Sequence, residues 1–467
     1  MDEGTLGREQ RADKTFGLVR AQIDADFEAH LETIRAYLRQ PSVSGTGEGI
    51  ETGAAMTAEL IEMAGGSAEV VPTGGHPAVV GRVEGAGPSL LRYGMYDVQP
   101  AEEPTWSSPP FAAEIRTLPQ GPSIVARGSA NSKGCLAAFF CALASARKIA
   151  DVPVDLGVIC DGEEELGSPN LPGVLESHRD GLAAEAAFDL DLTADERDVP
   201  WVTLGCKGIV SLRLIATGGD WGGPLGRALH SSTGVAVASP AWSLVRALDC
   251  LTEEDESPAV PGLERAPVPP EDVELVKALA QRVTREDIVE RSDASKLKTD
   301  DVAALVEAVM YAPAVNINGM EAGYSEGGKT IIPNEAHAVV DMRVPYGHDL
   351  DAVARSAEKR IHEVAPEVEV EPFELCPPAK TSADSVVARA LVASHTDVGA
   401  RPLVWPVAPW WAPLYLFEQV LEIPFASGGA GHSGRPHAAD EYATIAGLRA
   451  HMHQSMAFLW RYAERAA

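Results

Sequence analysis

The chain has 467 residues, with 38 Lys and Arg against 68 Asp and Glu and a formal net charge of -30. That length exceeds what one compact core usually supports, so two domains are expected, one of them inserted into the other. The acidic balance excludes a sequence-independent nucleic-acid binder and an anionic membrane surface as partners, because both need a Lys/Arg excess, and leaves a small-molecule substrate.

The first residues, MDEGTLGREQRADKTFG, carry no apolar core of the secretory kind. No run approaches the roughly 18 apolar residues of a membrane span. Amphipathic DADFEAHLETIRAYLRQ and AAMTAELIEMAGG read as helices, then AEVVPT, PAVVGRVEG and SLLRYGMYDV as strands. CLAAFFCALASARKIA is a helix and VDLGVICDG a strand. This alternation predicts an α/β domain with a central mixed sheet covered by helices.

From about Gly208 the texture changes. IVSLRLIAT alternates as a strand, PAWSLVRALDCL is a helix, and TIIPNEAHAVVDMRV and EVEVEPFEL are further strands around a Pro-rich segment. After Pro377 the chain returns to helix, strand and loop. Residues 208–377 are thus expected to form a smaller α+β domain inserted between 1–207 and 378–467. The six cysteines (Cys135, Cys141, Cys160, Cys206, Cys250, Cys376) form no CxxC pair, which points to a reduced, cytoplasmic setting.

Candidate chemistry lies after strands, where ligand sites of open α/β sheets cluster. In CDGEEELGSPN a tight Gly-Ser exit can aim adjacent carboxylates to different sides, one toward a metal and one toward a water. The alternative is a solvated acidic turn. In GGAGHSGRPHAADEY the Gly-rich approach lets His437 come close to a shared site, against a helix-capping role; His432 reads as a loop residue. In ARGSANSKGCLAAF, Asn131 and Ser132 suit an N-cap, and Cys135 suits a small apolar helix position.

Taken in order, QPSVSG, GMYDVQP, ARGSANSKG, DGEEELGS, LGCKG, LHSSTG, the INGMEAGY to IIPNEA stretch, DMRVP and PHAADE resemble the zinc aminoacylase/carboxypeptidase family. That family includes acetylornithine deacetylase, carboxypeptidase G and the carnosine-type dipeptidases. The resemblance implies a catalytic domain with two zinc ions, an inserted lid domain that mediates homodimerisation, and cleavage of amide bonds beside a carboxylate-bearing amino acid. By position, Glu164 matches the general base, and Glu165 and His437 match ligands of one zinc. Asp191 matches the acid of the other zinc, with Asp189 as an alternative, and Asp97 matches the acid that orients a ligand histidine. His230 matches a lid histidine that polarises the scissile carbonyl, Arg343 a residue holding the substrate carboxylate, and Asn318 a lid position near the site.

Three departures stand out. Met95 falls where the family has its histidine, Asn131 where it has the bridging carboxylate, and Ser132 where an acid is frequent. A thioether binds Zn(II) poorly, and a neutral amide cannot supply a bridging charge. The Met95/Asp191 half is therefore expected to be the weaker, and the centre to hold one zinc, on Glu165 and His437, or none. Without a cation, repulsion between Glu164 and Glu165 should raise one of their pKa values toward neutrality. In VAPWWAPLY, Trp410 and Trp411 replace small residues that relatives keep near the substrate, so at least one is expected to reshape the pocket.

The leading expectation is an enzyme acting on an amide-containing or amino-acid-like substrate, with Glu164 transferring protons. A second is metal-independent, non-hydrolytic chemistry on the same scaffold: cyclisation, amide formation, isomerisation or acyl transfer. A third is a substrate-binding pseudoenzyme.

Overall fold

The computed structural model describes residues 3–195, 197–292, 294–324 and 327–466. Two compact units emerge: Met1–Gly205 with Thr381–Pro406 and Ala412–Ala467, and Cys206–Lys380 with Val407–Trp411. The short return to the second unit, which carries Trp410 and Trp411, lies inside the 378–467 stretch that sequence patterning assigns to the α/β domain. Two hydrogen bonds tie it there: the Lys207 backbone N–H donates to Ala408 O at 3.1 Å, and the Trp411 ring N–H donates to Pro377 O at 3.1 Å.

The first unit is built on an eight-stranded mixed sheet. Its order is Ser67–Val71, Ala78–Val83, Asp155–Asp161, Ser89–Met95, Ala186–Asp189, Phe425–Gly428, Trp201–Thr203 and Leu403–Trp405. The middle is parallel: Ser89–Met95 pairs with Asp155–Asp161 on one side and Ala186–Asp189 on the other, and Met95 lies opposite Asp161. These strands are nearly continuous apolar runs because helices cover them, which is the pattern expected of parallel strands. Helix Lys133–Arg147 is buried along almost its whole length, and the core joins its Phe139 and Phe140 to Phe188 and Phe458. The first helix, Glu3–Arg39, begins well before the amphipathic run legible in the sequence.

A small antiparallel sheet of Ser433–Gly434, Tyr442–Thr444, Gly121–Val125 and Glu114–Leu118 completes this unit. Tyr442 pairs with Val125, so the loop after Gly434 and the loop after Val125 start side by side.

The second unit carries an antiparallel four-stranded sheet, ordered Ala314–Ala322, Glu335–Val344, Gly208–Thr217 and Val368–Cys376. Val210, Leu212, Leu214 and Ala216 alternate into a core with Leu244 and Ala247 of helix Pro240–Asp249 and Val353, Ala357 and Ile361 of helix Leu350–Val364. The period of two in IVSLRLIAT thus becomes one buried sheet face. TIIPNEAHAVVDMRV, read as one strand, is split by Pro333 into Ile331–Ile332 and Glu335–Val344. None of the six cysteines forms a disulfide. No helix among the described residues is long and apolar enough to cross a membrane.

Candidate active site

The three parallel strands Ser89–Met95, Asp155–Asp161 and Ala186–Asp189 end together, and the acidic segments follow them. Asp97, fully buried, organises the turn after the second strand: its Oδ1 accepts the Glu164 N–H at 3.2 Å and its Oδ2 the Glu165 N–H at 3.1 Å. Burial, with Asp161 nearby, pushes the Asp97 carboxyl up to about 8. Asp97 thus serves the glutamate backbone.

The three successive glutamates separate into three environments. Glu163 is structural, accepting the His76 N–H at 3.0 Å and the Asn170 amide at 2.6 Å. Burial pushes the Glu164 carboxyl well above the usual range, and the negative charges of Glu165, Asp97, Asp161 and Asp189 add to it. Repulsion by Glu165 alone, expected from sequence, is thus the secondary cause. Glu165 is held by neutral donors: Gln99 Nε2 reaches its Oε2 at 2.8 Å and Asn131 Nδ2 its Oε1 at 2.9 Å.

Asn131 does not act as an N-cap through its side chain. Its amide nitrogen also lies 2.8 Å from His437 Nε2, which is 3.2 Å from Glu165 Oε1. His437 Nε2 either accepts from Asn131 or, once protonated, donates to Glu165; it cannot do both at once. The Glu165 contact raises the His437 pKa. Ser132 occupies the N-cap position of helix Lys133–Arg147, but its hydroxyl donates to Asn131 Oδ1 at 3.1 Å and caps nothing. His437 precedes no helix start either: it sits in a loop with φ 60°, and the next helix begins at Ile445. His432 is a loop residue, held by Ala194 O at 2.9 Å and the Tyr442 hydroxyl at 3.0 Å.

The other acids meet a buried cation. Arg92 is 1% exposed, and its Nη1 donates to Asp189 Oδ1 at 2.7 Å. Burial raises the pKa of both Asp189 and Asp191, and the negative charge of Asp191 raises Asp189 further. Asp191 Oδ1 is buried with no hydrogen-bond partner among the described residues. Met95 ends the neighbouring strand, 6% exposed. Cys135 is a buried thiol whose pKa burial raises, as its reading as an apolar position requires.

Sequence reasoning missed several residues here. Glu441, wholly buried, accepts the N–H groups of Gly128, Ala130 and Asn131 at 3.1, 2.8 and 2.9 Å, and Arg127 Nη1 at 2.9 Å. It thereby ties the Asn131 loop to the His437 loop. The pairing of the small sheet is not readable locally, although Glu441 stands in PHAADEY. Arg92 and Gln99 both lie within LRYGMYDVQP, where nothing local marks either as a donor. The Tyr93 hydroxyl is buried without a partner among the described residues.

The remaining candidates belong to the second unit. His230 closes a turn: its Nδ1 accepts from the Ser232 N–H at 3.2 Å. Asn318 stands exposed at a bulge between Ile317 and Gly319 on an edge strand, where a bulge re-aims a side chain. Arg343 donates to Asp341 at 3.1 Å. Trp410 is 40% exposed, and Trp411 is half-buried. Among the described residues, no group of three or more His, Cys, Asp or Glu is arranged to hold a metal ion.

Comparison with known proteins shows the family of the chain. The chain matches peptidase family M20/M25/M40 over residues 92–464. It belongs to that family. An M20 family metallo-carboxypeptidase from Sulfolobus solfataricus is 29% identical with a TM-score of 0.86, the likeness covering 93% of this chain and 99% of that one. Human carnosine dipeptidase 1, 20% identical with a TM-score of 0.81 over 96% of this chain and 98% of that one, shares the fold. Human Beta-Ala-His dipeptidase is 26% identical over 58% of this chain and 53% of its own length. The chain thus spans about half the length of that curated relative. The mixed α/β architecture expected from the sequence is the one these structures share.

Proposed function

We propose that this member of the family is an enzyme that acts on an amide-containing or amino-acid-like substrate, with Glu164 transferring the proton. The observation that carries the reading is the setting of Glu164, pinned through its backbone by Asp97 at the ends of three parallel strands, its carboxyl driven up by burial among acids. A carboxyl raised in this way can hold and release a proton that an ordinary carboxylate would not keep. In hydrolysis, Glu164 takes a proton from the attacking water and returns it to the leaving nitrogen. In the same reading His230, Arg343 and Asn318 contact the substrate, Trp410 and Trp411 shape its pocket, the second unit serves as a lid and homodimer contact, and the protein works in the cytoplasm.

The donor set does not suit the two zinc ions that the family resemblance implies. On the Glu165 side, the Asn131 amide nitrogen faces both remaining donors, and a nitrogen that donates two hydrogen bonds has no lone pair for a metal. Glu165 and His437 are left as two strong donors, fewer than the three usual in catalytic zinc sites. On the Asp191 side the opposing residue is a thioether. This supports a centre with one zinc or none and assigns no step to a metal.

The same hydrogen bonds favour a second reading, non-hydrolytic chemistry such as cyclisation, amide formation, isomerisation or acyl transfer. A substrate-binding pseudoenzyme is the third reading. Glu164→Gln keeps shape and removes the proton-transfer group, and we expect it to abolish turnover across a panel of dipeptides, acylated amino acids and free amino acids. Unchanged turnover would remove Glu164 from its role, and binding without product by the wild type would leave the pseudoenzyme. Elemental analysis of protein purified without chelator tests the centre: two zinc ions per chain would refute the reduced-metal reading.

A further inference from the structure

We propose that Arg92 is the resident counter-charge of the Asp189–Asp191 half of the centre, supplying the positive charge that a metal ion would supply and closing that half to metal. The inference rests on the reduced-metal reading above and extends it to a residue outside the family motifs.

Arg92 lies on the strand that ends at Met95. Its guanidinium grips the segment just before Asp191 twice, through Asp189 Oδ1 at 2.7 Å and Leu190 O at 3.2 Å. It lies 5.3 Å from the ring of Phe139 and 5.6 Å from that of Phe188, so its surroundings are apolar apart from the acids and the backbone. A guanidinium cannot discharge itself under such burial, so its charge must be met by carboxylate. Asp189 meets it directly, and Asp191 directly follows Leu190, whose carbonyl the same guanidinium holds.

A divalent ion on Asp191 would stand beside this fixed like charge where water screens poorly. Across from it would be Met95, a soft thioether. Either feature weakens the half-site; together they explain why two acids persist there without the donors a cation needs. A purely structural Arg92 would hold the strand ends together and have no bearing on how many metal ions the protein takes up. That difference is measurable.

The test restores the missing ligands and then removes the internal charge. Arg92→Met alone strands a buried carboxylate, so the pair is replaced together as Arg92→Met/Asp189→Asn, which leaves neither partner uncompensated. Each variant is saturated with zinc, desalted and analysed for zinc per chain, with circular dichroism confirming the fold. We expect Met95→His/Asn131→Asp to hold one zinc, and the same protein carrying Arg92→Met/Asp189→Asn to hold two. Two zinc ions on Met95→His/Asn131→Asp with Arg92 in place, or only one after the pair is removed, would overturn the proposal. Failure of the underlying reading looks different: the wild type itself would hold two.

Discussion

The two halves of the carboxylate centre solve the same electrostatic problem differently. Around Glu165 the negative charge is spread over two neutral amide donors, Gln99 and Asn131, beside a histidine side chain that is 53% exposed. Around Asp189 and Asp191 it is met by Arg92, 1% exposed. Both acids are largely withdrawn from water, Glu165 at 5% and Asp189 at 16% exposure, so the halves differ in the kind of partner: neutral dipoles for Glu165, a full buried charge for Asp189. The contrast shows that the order of motifs along a chain does not reveal how each acid is balanced.

The largest effect should come from breaking the Asp189 half. Arg92→Met alone leaves Asp189 unpaired and should cost about 3 to 5 kcal/mol, whereas Arg92→Met/Asp189→Asn should stay much closer to wild type; urea unfolding of both decides it. Equal losses would mean that packing of the arginine stem on Phe139 and Phe188, rather than charge, holds this region.

A buried group with no compensating charge offers a second test. His395 is fully buried, neither ring nitrogen has a partner among the described residues, and burial pushes it down to about 4 from 6.5. Between those values the unfolded chain binds more protons than the folded one. Stability from this group is therefore full above pH 6.5 and is lost as pH falls toward 4, by roughly 3 kcal/mol at about 1.4 kcal/mol per unit. His395→Leu should flatten that part of the stability profile, and an unchanged slope would show that the imidazole is not buried neutral.

The smallest effect belongs to the Glu165 half. Asn131→Ala removes one amide from the buried Glu165 carboxylate while Gln99 stays at 2.8 Å, so the loss should be about 1.5 to 3 kcal/mol. A cost comparable with Arg92→Met would erase the distinction between the halves.

Much of the architecture was legible because periodicity is local. The alternation in IVSLRLIAT and the apolar run of CLAAFFCALASARKIA each specify an element and its buried side. The acid-bearing turns after strands were legible too, since loops at strand ends carry recognisable Gly and acidic residues. Less legible was the division of labour within them. Glu163, Glu164 and Glu165 are chemically identical in the sequence, yet one braces a loop, one lies among acids and one faces Asn131. Glu441 could not be singled out, because its partners are more than 300 positions away and meet it only through the pairing of the small sheet.

By itself the sequence determined that the chain is an α/β protein with a second α+β unit, that it resembles a family of amide-cleaving enzymes, and that Met95 and Asn131 stand where ligands are expected. Those properties follow from side-chain identity and spacing. Only the tertiary structure decided which charge answers which. It turned Asn131 into a donor between Glu165 and His437, and it placed Arg92 against Asp189. The physical reason is that hydrogen bonds and charge pairs act over a few ångströms, and strands distant in sequence come that close only once the sheet has formed.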